Sequence, residues 1–197
     1  TLEYPGFEMA RAADVLIDSL KVHEVDRIFC VPGESYLGAI DALYDAPEID
    51  VVRVRHEGGG GFMAVADAKY TGRTGVEFVS RGPGATNASI GVHAAQQHAL
   101  PMVLFIGQVA REDIGRGAFQ EVNYVKTFSD MAKLVIEICD PDNLASSVRQ
   151  AFHTANSGTP GPVVVSLPED MLLVETEVGA LPAIPISVPK PDAGAIS

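Results

Sequence analysis

No stretch of the sequence concentrates positive charge: lysine and arginine number 14 against 26 aspartates and glutamates, a formal net charge of −12. A surface that follows a phosphate backbone needs clustered cations, so nucleic acid is not an expected partner. No apolar run approaches the roughly 20 residues that span a bilayer, and the opening TLEYPGFEMA lacks the basic start and apolar core of a secretory leader. A soluble, cytoplasmic chain with no membrane partner is expected. Tryptophan is absent, and the two cysteines, Cys30 and Cys139, have no zinc or redox spacing. Both lie in short apolar runs, FCV and VIEIC, and are expected as buried strand thiols. His56, His93 and His98 show no metal-ligand spacing either, so no metal is assigned to this chain; His93 and His98 are expected as helix-surface or packing residues.

What is present is a regular alternation of strand and helix. The 197 residues suffice for one well-buried core. Apolar positions at Met9, Ala12, Ala13, Leu16 and Leu20 follow a 3.6 period and predict a helix over 7–22. Short strands are predicted over 27–31, up to Arg55, and over 75–80, 101–107, 134–138 and 162–167, with helices between them, including 85–98 and 141–155. The fourth strand, PMVLFIG, has no polar alternation, as expected where both faces of a parallel sheet are covered. The whole predicts an α/β fold: a doubly wound, largely parallel sheet of about six strands with helices on both faces. Residues 108–121 have no period and are expected as a surface loop. Past Ala180 four prolines mark an extended linker, 181–197, leaving 1–180 as the domain.

The most pointed stretch is VVRVRHEGGGGFMAVADAKY, residues 51–70. A β-branched run ends at Arg55, Glu57 follows, and Gly58 to Gly61 open an alanine-rich helix. Glycine costs roughly 1 kcal/mol against alanine in a helix, so something is expected to approach this backbone closely. Glu57 can be a carboxylate meeting a helix N-terminus, or a catalytic acid at the carboxyl end of a parallel strand. The residues of this stretch do not separate the two. The turns PGES, HEGGGG, RGPGATN and GQV each follow a strand, so in a parallel sheet they converge on one edge. None is a phosphate loop; RGPGATN lacks the third glycine of one fingerprint and the Lys-Ser/Thr of the other.

In this order VPGE (31–34), RHE (55–57), GRTGV (72–76), GPGATN (82–87), PMVLFIGQV (101–109), AFQE (118–121) and GPVVVSLPED (161–170) resemble the N-terminal pyrimidine-binding domain of thiamine-diphosphate enzymes, with the acetolactate synthase branch the most similar. The resemblance implies that Glu57 touches the cofactor's aminopyrimidine ring. There an acid at one ring nitrogen favours the imino tautomer, whose exocyclic nitrogen removes the thiazolium C2 proton. It further implies that Pro32, Gly33, Pro83 and Asn87 line the pyrimidine and that Gln120 faces the reacting centre. The chain departs from the branch's RHEQGAGH with RHEGGGGF, and carries His98, Ala99 and Leu100 where Asp-Ser is common. It has no GDG, the family's mark of the separate domain that holds the diphosphate and its Mg2+. Implied partners are a 2-oxo acid substrate, a diphosphate-binding domain in the parent chain or on another subunit, and a second copy in a homodimer or higher oligomer. Alternatives left open are a natural small subunit of a two-subunit decarboxylase and a non-catalytic module of the same fold.

Overall fold

Apolar strand runs flanked by turn-forming residues set the architecture, which a computed structural model describes for residues 9–187 and 194. β1 (Ala10–Arg11) runs into α1 (Ala12–Val22), followed by β2 (Arg27–Cys30), a short 3-10 turn and α2 (Leu37–Tyr44). β3 (Asp50–Arg53), α3 (Glu57–Thr71), β4 (Gly75–Val79), α4 (Gly82–Gln97) and β5 (Met102–Gln108) come next. Then follow α5 (Tyr124–Phe128), β6 (Leu134–Glu137), α6 (Leu144–Asn156), β7 (Pro162–Pro168) and β8 (Glu175–Thr176). Six strands pair in parallel in the order β3-β2-β4-β5-β7-β6, and β1 pairs with β8 in a separate antiparallel ribbon. The predicted doubly wound α/β sheet is therefore what forms. The chain steps from β2 outward to β3, then back across to β4, so the carboxyl ends of β2 and β4 flank the point where the direction of winding reverses. Open α/β sheets place ligands there.

Every residue of β4, β5 and β7 is buried, because helices cover both faces. On one face α1, α2 and α6 bring branched and aromatic side chains, among them Leu16, Ile17, Leu20, Val148 and Phe152, against Val76, Phe78, Val103 and Phe105. On the other, α3 and α4 bring Ala64, Ala68, Ala85, Ala88 and Ala95 against Phe29, Val79, Leu104 and Ile106. Small side chains let these two helices approach each other until Gly61 and Gly91 meet. A Cβ added at Gly91 would lie 2.6 Å from the Gly61 Cα.

Several expectations are corrected. α1 starts at Ala12 rather than at residue 7, since residues 10 and 11 pair with β8; residues 1–8 lie outside the described part. α4 starts at Gly82 instead of 85 and takes Pro83 into its first turn, where a missing N–H costs no hydrogen bond. Cys30 is buried, but Cys139 is exposed, because β6 ends at Glu137 and the chain turns outward. His93 and His98 are exposed, in keeping with the helix-surface placement expected of them. Residues 181–187 have no regular structure, with Ile184 and Ile186 alongside His23 and Phe152. Of the expected linker, residues 188–193 and 195–197 lie outside the described residues.

Candidate cofactor-binding site

The local sequence around residue 57 fixes a carboxylate at the start of a helix. His56 is extended and caps α3, its Nδ1 accepting the Gly58 N–H at 3.1 Å. Glu57 is thus the first helical residue, where the dipole favours negative charge. Its Oε2 accepts from Asn87 Nδ2 of α4 at 2.9 Å. Its Oε1 lies over Gly84, where an added Cβ would sit 3.4 Å away, and makes no hydrogen bond among the described residues. One oxygen is held and the other is open.

The turn after β2 interlocks with the turn after β4. Gly33 is extended, so its need is for space rather than a special backbone angle; an added Cβ would fall 2.7 Å from Ser80 Cβ. Ser35 and Ser80 hydroxyls lie 3.2 Å apart. The buried Tyr36 donates its hydroxyl proton to the Val31 carbonyl, and burial pushes its phenol well above the usual range. On the other side the Gly82 N–H donates to the Gln120 carbonyl at 3.0 Å. Gln120 itself holds a left-handed φ of 65°. The predicted surface loop ends there, tied down by Glu121, whose carboxylate accepts from the amides of Gly115, Gly117 and Ala118. Those amides hold the Glu121 carboxyl below its ordinary range.

Of the predicted site residues, the structure puts Glu57 and Asn87 in direct contact, with Gly84 beneath. Gly33 reaches them through Ser80, and Gln120 through the backbone of Gly82. Pro32 and Pro83 are exposed at the two turns, Pro32 beside Tyr36 on an apolar groove. Sequence reasoning missed two charged residues. Arg81, just before α4, pairs with Glu169 at the end of β7 and with Glu34. Glu77, in the middle of β4, is fully buried. The signal for Glu77 was a lone acid inside the apolar strand GVEFVS.

The predicted close approach to the tetraglycine is internal. An added Cβ at Gly60 would lie 2.5 Å from Glu77 Oε1, one at Gly61 2.9 Å from the Gly91 Cα, and one at Gly58 3.0 Å from Ile90 Cγ2. Gly59 faces open space. At Gly58 the departure from the polar RHEQ pattern therefore coincides with Ile90 crowding that position.

A half-buried carboxylate with one free oxygen, a glycine floor and two interlocked turns thus gather at the carboxyl edge of a parallel α/β sheet. The chain belongs to the family described as thiamine pyrophosphate enzyme, N-terminal TPP binding domain, which matches residues 10–127. It is similar to the acetolactate synthase large subunit of Parasynechococcus marenigrum, 43% identical over 162 residues. That match covers 81% of this chain and 26% of the relative. To the acetolactate synthase isozyme 3 large subunit of Escherichia coli it is 40% identical over 165 residues, 84% of this chain and 29% of the relative. To the acetolactate synthase large subunit of Corynebacterium glutamicum it is 34% identical over 188 residues, 92% and 30% respectively. The chain thus spans less than a third of the length of these relatives.

Proposed function

We propose that this chain forms the aminopyrimidine-binding half of a thiamine diphosphate site in an enzyme that decarboxylates or joins 2-oxo acids. The observation that carries the proposal is Glu57: a carboxylate at a helix start, fixed through Oε2 by Asn87 and open at Oε1 above Gly84. When bound, the cofactor supplies a thiazolium carbon able to add to a 2-oxo acid carbonyl. Glu57 holds a proton at Oε1 against a ring nitrogen. Asn87 fixes the carboxylate's orientation, so the proton is offered in one direction. Gly84 leaves room for the ring, Pro83 and Gly33 border it, and Pro32 closes the rim. Gln120, on its pinned loop, faces the reacting centre.

In this reading the diphosphate and Mg2+ are held by a further domain, in the same parent chain or on another subunit, and the chain alone is inactive. The short share of each relative that it covers supports this. A second copy, or that further domain, covers the outer face of α3 and α4. Of the small residues there, Ala64, Ala68, Ala88, Gly91 and Ala95 turn inward, so the outward contact is made by Phe62, Met63 and Ile90, each about half exposed.

The test is Glu57→Gln in the assembled enzyme. Exchange of the thiazolium C2 proton for deuterium, followed by NMR, is expected to slow by roughly 10²- to 10⁴-fold, since an amide cannot hold the acid proton. A mutant that exchanges as fast as the parent overturns the assignment.

A further inference from the structure

Beneath the first turns of α3 lies a carboxyl group that the proposed reaction does not use. Glu77 has 0% exposure, and neither Oε1 nor Oε2 has a hydrogen-bond partner. No ion pair among the described residues includes it. In the sheet it sits between Phe29 and Leu104. Above it Gly60 and Gly61 carry no side chains, and that is where the acid finds its space: added Cβ atoms would fall 2.5 Å and 3.1 Å from its oxygens. From α4 the nearest approach to this crossing is Gly91. Among the described residues, Glu57 of α3, Cys30 of β2 and the phenol of Tyr36 are in electrostatic contact with Glu77, and all three are acidic groups.

An unpaired anion in a dry interior is strongly disfavoured, so the group takes its neutral form instead. We propose that Glu77 is a positioning residue for Glu57: a neutral carboxylic acid under α3 that adds no charge of its own beneath the site-facing carboxyl. The proposal rests on Glu57 being the working acid. Burial first, then the charge of Glu57, push Glu77 up to about 9. Above that pH a second charge enters beside Glu57 and beneath the Gly61–Gly91 contact. The site therefore has an alkaline limit that Glu57 alone does not impose.

Carboxyl-carbon NMR of the 197-residue chain tests the pair without cofactor. The Glu77 carbon is expected to show the protonated shift at pH 7 and to titrate near pH 9. Glu57→Gln should bring that midpoint down by about one pH unit, because it removes a like charge. A Glu77 carbon already ionised at pH 7, or a midpoint indifferent to Glu57→Gln, overturns the proposal. In the assembled enzyme, the fall of C2 exchange above about pH 9 should vanish in Glu77→Gln; a fall that persists also overturns it. If Glu57→Gln leaves exchange unchanged, the cofactor assignment fails while the carboxyl titrations still stand. Should Glu77→Gln not fold, the titration of Glu77 in the Glu57→Gln chain decides.

Discussion

The two faces of the sheet are packed by different rules. Under α1 and α6, Leu16, Leu20, Val148 and Phe152 fill the space between helix and sheet with bulk. Under α3 and α4 the same space is closed by bringing backbones together, with alanine and glycine at the contacts and one uncharged acid in the floor. Side-chain packing is adaptable: a lost methyl leaves a cavity that neighbours partly fill. Backbone contact has no such slack, because an added atom meets main chain that cannot rotate away. The site stands on the second face, so the position of Glu57 is set by helices whose spacing is nearly incompressible.

The largest break in this comparison should come from Gly91→Val, which drives two methyls into the Gly61 backbone. We expect at least ~4 kcal/mol of destabilisation, or no folded protein, by urea unfolding. Leu16→Ala on the other face should cost about 3 kcal/mol and leave a folded chain with its α3–α4 crossing intact. Equal costs would show that the faces do not differ. A third measurement separates the floors. Glu77 binds a proton in the folded state up to about pH 9 but only up to about its ordinary 4.5 when unfolded. Across that window the folded state holds one more proton, so stability falls as pH rises, by about 1.4 kcal/mol per pH unit. Below 4.5 and above 9 this contribution is flat. Unfolding titrations at pH 5 to 8 should show that slope in the parent and lose it in Glu77→Gln. The smallest effect is a gain: Gly59→Ala, at the one tetraglycine position facing open space, should stabilise by roughly 0.5–1 kcal/mol.

Most of the parallel sheet was legible because its strands are continuous apolar runs between glycine and proline turns, and because alternation with helices constrains topology. The β1–β8 ribbon was not: pairing of residues 10–11 with 175–176 joins distant pieces of chain too short to carry a period. The start of α4 was misplaced because Gly82-Pro83-Gly84 has the composition of a turn, and only the packing of Gly84 and Ala85 against the sheet makes it helical. At the site, Glu57 stood out by its position after a strand. The cause of its four glycines did not, since Glu77 and Gly91 lie 16 and more residues further along the chain. The orientation of the alanines was ambiguous for a related reason: small residues suit a close contact on either side of a helix.

The hold of Glu121 on the loop before it has a consequence for motion. Three amides, of Gly115, Gly117 and Ala118, share one carboxylate. None can open while the others stay closed unless that carboxylate itself stays in place, so loss of the anchor exposes all three to solvent in a single event. Hydrogen exchange should then report one common opening rate for the three rather than a graded fraying. Gln120, next in chain to the anchor, would share that clock: the fraction of time it keeps its left-handed turn equals the fraction of time one carboxylate keeps its grip.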